Sequence, residues 1–380
     1  MAALIVLAGL ALILVVLHDG FEVILLPRRV SRGFRITRLF YISSWRLWRF
    51  AASRAGTGKR RLVLLSWFGP SSILMLFLIW AAGLILGFGL IHRALGTPMT
   101  PAGARLGFSD YLYFSGVTFF TLGFGDIAPI APPGRALAVA EAGVGFAFLA
   151  VVISYLPVFY QAFSGREISI SLLDARAGSP PRASSILIRL APTRNFEALD
   201  RFLQEWERWS AEVLESHLSF PLLSYYRSQH DNQSWLAAIT AILDTCALVI
   251  AGIKGADPYQ AQLTFAMARH TVVDLAQVFR VRPADLDDRL PPGSLASLLE
   301  ELELAGLDIR EGETIGARLG ELRKAYEPFV AALSAHLLMP LPPIWSDAPT
   351  VDNWQTSAWM KRTNGIGKLA IVEAPDDHDD

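Results

Sequence analysis

Three apolar stretches, each long enough to cross a bilayer, constrain this chain of 380 residues more than any other feature. About 20 apolar residues span the hydrocarbon layer. The stretches run from Met1 to about Leu26, from about Pro70 to Ile91, and from about Arg135 to Phe163. Lipid offers backbone groups no hydrogen bonds, so each stretch reads as a helix. The first has neither a basic leader nor a small-residue cleavage site, so it reads as a membrane helix and not as a removed signal peptide. Gly69-Pro70-Ser71 reads as the start of the second, because proline in a first turn loses no needed hydrogen bond. A fourth apolar run, Trp235 to Ile253, carries Asp244 at its middle. A carboxylate at mid-bilayer costs about 3 kcal/mol or more, so this run reads as the central helix of a soluble bundle.

Charge divides the chain. Residues 1–165 hold 14 Lys/Arg and 5 Asp/Glu, a net of +9, while residues 166–380 hold 20 and 30, a net of −10. The segment 27–61 alone has 11 Lys/Arg and no acid. Positive loops stay on the cytoplasmic side, which predicts a cytoplasmic 28–61, an outside N-terminus and a cytoplasmic C-terminal domain. Tyr41 to Phe50 mixes aromatics with arginines, as an interfacial helix on anionic lipid does; a solvated linker helix is the alternative. Asp19 and Glu22 read as headgroup-zone partners of Arg28 or Arg29, with a part in gating as the other reading.

Between the second and third stretches lies Thr121-Leu122-Gly123-Phe124-Gly125-Asp126. A cation crossing a membrane needs oxygens in place of its water. Backbone carbonyls supply them if successive peptides point the same way, which requires left-handed backbone conformations that glycine adopts at least cost. Gly123 and Gly125 alternate with Leu122 and Phe124, whose side chains face away. Thr121 adds a hydroxyl at the inner end and Asp126 a charge at the outer end. Phe108 to Phe120 has the length of a re-entrant half-helix whose C-terminal dipole points at the path.

These residues resemble the two-helix, one-pore-loop potassium channels over about 70–163. The family's Thr-Val-Gly-Tyr-Gly-Asp stands here as Thr121 to Asp126. The resemblance implies K+ ligation by Thr121, Leu122, Gly123, Phe124 and Gly125, with Asp126, Val117 and Phe120 as filter support. Phe124 lacks the tyrosine hydroxyl, which removes one brace. Val117 stands where some members place a glutamate that pairs with the filter aspartate. Phe120 is bulkier than the usual residue. On the inner helix the resemblance places a hinge at Gly145, with Gly143 competing and close helix packing as the alternative. Pro157 marks a bundle crossing or the membrane exit. Glu141 is either a functional intramembrane acid or a structural hydrogen-bond partner of the pore helix. One pore loop per chain implies a homotetramer.

The C-terminal half is less specific. Glu167 to Ser171 and Ser185 to Leu190 read as short strands. From Asn195, residues Leu199, Phe202, Leu203, Trp206, Trp209, Val213 and Leu214 share one helix face. Asn232 or Ser234 caps the apolar run at 235. The single cysteine, Cys246, excludes an intrachain disulfide and reads as a buried thiol. No Gly-x-Gly-x-x-Gly follows a strand, the histidines lack metal-ligand spacing, and His270 with Asp274 reads as a helix pair, not a catalytic dyad. No nucleophile–base pair and no basic stripe with interleaved aromatics stand out, so neither an enzyme nor nucleic-acid binding is expected.

The expected fold class is an all-α membrane protein: a tetrameric pore-loop channel with a re-entrant pore helix, plus a mainly α cytoplasmic domain with short β-strands at the two places named. Its expected parts are an N-terminal membrane helix (1–27), a basic linker (28–69), a pore domain (70–163), a cytoplasmic regulatory domain (164–353) and a disordered tail (354–380). Within the pore domain fall an outer helix (70–92), pore helix (108–120), filter (121–126) and inner helix (135–163). The expected function is passive K+ conduction across the cell membrane, gated at the inner helix under control of the C-terminal domain. A weakly selective cation channel, or a membrane-tethered signalling protein with a vestigial pore, are the alternatives. No cofactor is expected beyond the transported K+, and an unknown ligand or protein is expected at the cytoplasmic domain.

Overall fold

The computed structural model describes residues 1–24, 26, 35–56, 58–102, 106–191, 196–229, 232–284, 288–310 and 312–346. Arg28, Arg29 and the tail from 354 lie outside them. The chain divides into two compact units, Met1–Gln161 and the remainder from Ala162.

The first unit contains α1 (Ala2–Ile24), α2 (Ile36–Arg54), α3 (Lys59–Ala94), α4 (Phe108–Phe119) and most of α5 (Pro132–Ala177). Helices α1, α3 and α5 are each long and apolar enough to cross a membrane. Helix α1 lies on α3 along small residues: a Cβ on Gly9 would fall 2.8 Å from the Gly87 carbonyl, and one on Gly87 2.6 Å from Ile13. Gly83 and Gly87 sit one turn apart, a spacing that lets membrane helices approach closely.

Polar groups lock this contact. Asp19, 3% exposed, accepts hydrogen bonds from the Thr37 backbone (3.1 Å) and hydroxyl (2.5 Å) on α2 and from Trp80 Nε1 (3.0 Å) on α3. Glu22 faces Arg35 (3.3 Å) and His18 (3.7 Å). The described partners of Asp19 are neutral donors buried between three helices, and the pairing expected with Arg28 or Arg29 lies outside the described residues. Helix α2 folds back on the start of α3, with Trp45 tilted on Phe68 and Trp48 Nε1 bonded to the Leu64 carbonyl (2.7 Å).

Pro70 does not start the outer helix. Helix α3 begins at Lys59 and runs through it. Proline removes one backbone donor, and hydroxyls take over neighbouring carbonyls: Ser71 Oγ donates to Trp67 O (2.5 Å) and Ser72 Oγ to Gly69 O (2.8 Å). The inner helix likewise continues through Pro157 to Ala177.

The second unit contains the end of α5, then α6 (Ala183–Leu190), α7 (Phe196–Ser219), α8 (Trp235–Gly252), α9 (Pro258–Phe279), α10 (Pro292–Leu304), α11 (Gly312–Lys324) and α12 (Glu327–Leu337). The two expected strands are corrected: 167–171 lies in α5 and 185–190 in α6, and no strand forms among the described residues. The alternation at 167–171 is incidental, because burial there follows a helical face, with Ile170, Leu173 and Ala177 buried. Every residue of α8 is buried within this unit, so protein and not lipid surrounds it. Ser234 caps it, accepting from the Ala237 N–H (3.0 Å). Asp244 is met by Arg289 (Nη1 at 3.2 Å) and by the Tyr326 hydroxyl (2.5 Å). The α7 face is buried as its spacing predicts, from Leu199 to Val213. Cys246 is buried and free.

Candidate functional site

Helix α4, the expected pore helix, is capped by Gly107, whose N–H donates to the Asp110 carboxylate (2.7 Å). Its C-terminus is closed by a left-handed residue, with Thr121 N–H bonded to Thr118 O (3.0 Å) and Leu122 N–H to Val117 O (2.9 Å). This pair of bonds is the Schellman closure, and the left-handed residue is Thr121 itself, at φ 56°. Glycine is usual there; a side chain in this region costs free energy.

Left-handed conformations then recur at every second residue, Gly123 at φ 62° and Gly125 at φ 79°. In an extended strand successive carbonyls alternate sides. Alternating left- and right-handed residues turn the peptide planes so that carbonyls gather on one side. The two glycines have open space around them, so they are required for their backbone and not for packing.

The outer end of the strand is also held. Tyr113 Oη donates to Asp126 Oδ2 (2.9 Å). Sequence reasoning looked for this brace at Phe124 and Val117 and missed it one turn earlier on the pore helix; a phenol 13 residues before the aspartate was the available signal. Val117 is buried and makes no such pair. Phe120 caps α4 and meets Phe119 edge-on at 5.2 Å. Beyond Asp126 the chain pairs with the turn after α3: Thr100 N–H bonds Ala128 O (2.9 Å), Ile130 N–H bonds Pro98 O (2.9 Å), and Met99, Tyr111 and Phe114 form a small core beneath.

Helix α5 meets α4 at two places. Gly145 meets the pore helix directly: a Cβ there would fall 1.9 Å from the Phe119 carbonyl oxygen. Gly143 has open space, and Pro157 lies within the unbroken helix. Glu141 is fully buried, in contact with the Ser115 hydroxyl and 3.7 Å from His92 Nε2.

In the second unit, Arg166 near the end of α5 sits in a socket and is 4% exposed. It donates to Leu223 O (2.8 Å), Tyr226 O (3.0 Å) and His217 Nε2 (3.3 Å), while Trp209 Nε1 donates to its carbonyl. The His217 Nδ1–H bonds Val213 O (2.8 Å), which fixes the neutral tautomer. Burial, and then the Arg166 charge, hold His217 well below the ordinary histidine range. A folded pKa below the unfolded value gives stability that is present above about pH 6.5 and lost as pH falls below it. The unit is therefore expected to lose stability in acid, with His217→Gln flattening the slope. Chemical unfolding of the full chain between about pH 7.5 and about pH 5 measures it; an identical slope in the variant would refute this assignment. No cluster of metal ligands occurs among the described residues, and His270 and Asp274 stand 3.8 Å apart with the histidine exposed.

Comparison with known proteins agrees with this geometry. A family model described as "Ion channel" matches residues 73–162. The chain is 25% identical to the uncharacterized membrane protein YdjJ of Bacillus subtilis (strain 168) over 272 residues, covering 70% of this chain and 76% of that one. It is 35% identical to protein LctB of Geobacillus stearothermophilus over 85 residues, 20% of this chain and 63% of that one. It is 32% identical to two pore potassium channel c of Oryza sativa subsp. japonica over 85 residues, 22% of this chain and 19% of that one. No solved structure matches. Residues 73–162 thus resemble a two-helix, one-pore-loop ion channel, and the protein is an all-α membrane protein. To that region this chain adds an N-terminal apolar helix and a helical C-terminal unit.

Proposed function

We propose that the protein is a potassium-selective channel in which four copies bring Thr121 to Gly125 around one axis, so that K+ exchanges its water for stacked carbonyls. The observation that carries this reading is the alternation of left-handed residues at Thr121, Gly123 and Gly125, in a strand held at its inner end by Val117 and at its outer end by Tyr113. The fourfold assembly is supported by what a single chain leaves uncovered. Val139, Phe146, Ile153 and Tyr160 recur every seventh residue along α5, each more than 60% exposed, and Leu122 and Phe124 are exposed beside the axis-facing strand. A seven-residue apolar seam is the pattern of helices that pack together.

The N-terminus lies outside and the second unit in the cytoplasm, in keeping with the 11 basic residues of 27–61. Helix α2 and the start of α3 meet anionic lipid through exposed Leu47, Phe50 and Trp67 beside Arg46, Arg49 and Arg60. The second unit biases the gate through the Arg166 socket, since α5 is one helix from Pro132 to Ala177.

Flux from liposomes loaded with K+ or Na+ tests the reading. Reconstituted protein is expected to pass K+ and to pass Na+ far more slowly. Equal rates for the two ions would reject selectivity.

A further inference from the structure

A buried polar cluster ties three helices together behind the pore helix. Glu141 on α5 and His92 on α3 are both 0% exposed. One carboxyl oxygen of Glu141 contacts the Ser115 hydroxyl on α4, and that hydroxyl also donates to the Ile85 carbonyl on α3 (2.8 Å). The other carboxyl oxygen faces His92 Nε2 at 3.7 Å, and His92 Nδ1 lies 3.2 Å from the Thr97 hydroxyl. Tyr111 on α4 closes the group by donating to the Thr97 carbonyl (3.2 Å), and Phe114 stands edge-on to the His92 ring. A polar chain of this kind inside a membrane unit is costly and therefore a functional suspect.

The register explains what it does. Ser115 precedes Phe119 by one helical turn, and Glu141 precedes Gly145 by one turn. The two helices thus touch twice in step, once by the Glu141–Ser115 contact and once by Gly145 against the Phe119 carbonyl. Two residues beyond Phe119 the filter begins. We propose that Glu141 is a positioning residue of the filter: through Ser115, whose hydroxyl also reaches the Ile85 carbonyl, it fixes the pore helix between the outer and inner helices and so sets where Thr121 starts the carbonyl row. It acts as a hydrogen-bonding group on the back of the pore helix and takes no place in the ion path. The proposal rests on the filter reading above.

The test uses the full chain in liposomes at graded external K+. Ions that bind only the ordered filter stabilise it by mass action, so a loosened filter needs more K+ to conduct. Glu141→Leu and the milder Ser115→Ala are each expected to raise the K+ concentration for half-maximal flux by about tenfold, the scale of one lost buried hydrogen-bond partner. The double variant is expected to be no worse than Glu141→Leu alone, because the two residues share one interaction. Glu141→Gln, with nearly the same shape and a carbonyl oxygen still able to accept from Ser115, should restore the wild-type dependence. An unchanged K+ dependence in Ser115→Ala and Glu141→Leu, including lower protein yield with normal flux per channel, would overturn the proposal. So would a Glu141→Gln variant as impaired as Glu141→Leu. Absence of selective K+ flux in the wild type would instead strike the filter reading itself.

Discussion

Gly145→Ala is expected to reduce K+ flux to background. The added methyl would stand 1.9 Å from the Phe119 carbonyl oxygen, 2.7 Å from its carbonyl carbon and 3.0 Å from its Cα. All three are backbone atoms in the last turn of the pore helix, so no rotamer change relieves the clash. Either the inner helix withdraws or the pore helix tilts, and both displace the filter. Overpacked cores lose about 1–3 kcal/mol even where side chains can yield, and here they cannot. Gly143→Ala is the matched control, because its Cβ meets open space in the chain. Flux measurements on the two variants also separate two roles for the glycine pair. If flexibility at a hinge were the requirement, Gly143→Ala could be as damaging as Gly145→Ala. If close approach is the requirement, only Gly145→Ala fails. Normal flux in Gly145→Ala would remove the packing account.

Asp244→Ala is expected to open the second unit. Asp244 sits at 1% exposure and is the shared partner of Arg289 and the Tyr326 hydroxyl. Arg289 also reaches Glu327 (3.3 Å) and the Pro342 carbonyl (2.8 Å). Removing one member of a buried ion pair costs about 3–5 kcal/mol, because the remaining charge stays buried without its partner. Tyr326→Phe removes a single hydrogen bond and should cost about 1–1.5 kcal/mol. The sole cysteine reports the result. Cys246 lies two residues on, fully buried, and burial pushes its thiol upward, away from the reactive thiolate. A thiol reagent therefore labels it only when the unit opens. Labelling of Asp244→Ala is expected to accelerate by about 150- to 5,000-fold, in proportion to the opened population. Labelling at the wild-type rate would mean that the pair contributes little.

How much of this could be read from the sequence depended on how local the cause was. The left-handed turn of 121–126 was legible because it is backbone chemistry, and the positions that need such conformations are marked by Gly123 and Gly125 within a few residues. The membrane helices were legible by length alone. Their ends were not. Pro70 reads as a start and Pro157 as an exit, but Ser71 and Ser72 bond carbonyls beside the first, and α5 runs on regardless of the second. The partners of Asp19 were hidden for another reason. Trp80 lies 61 residues away, and the arginines nearest in sequence drew the reading toward charge pairing. The apparent strand at 167–171 arose because polar–apolar alternation over five residues also fits a helix. Only the buried positions beyond it, Leu173 and Ala177, betray the helical period. The Tyr113 brace is hidden because a lone tyrosine on a helix does not mark a partner 13 residues on.

Thr121 both ends a helix and begins the carbonyl row, so no spare residue separates scaffold from ligand. In the proposed channel that junction has no buffer: a small shift of the short helix reaches the innermost ion site. Drugs, lipids or stretch need not reach the permeation axis to silence such a protein; pressing on that helix from its rear would be enough.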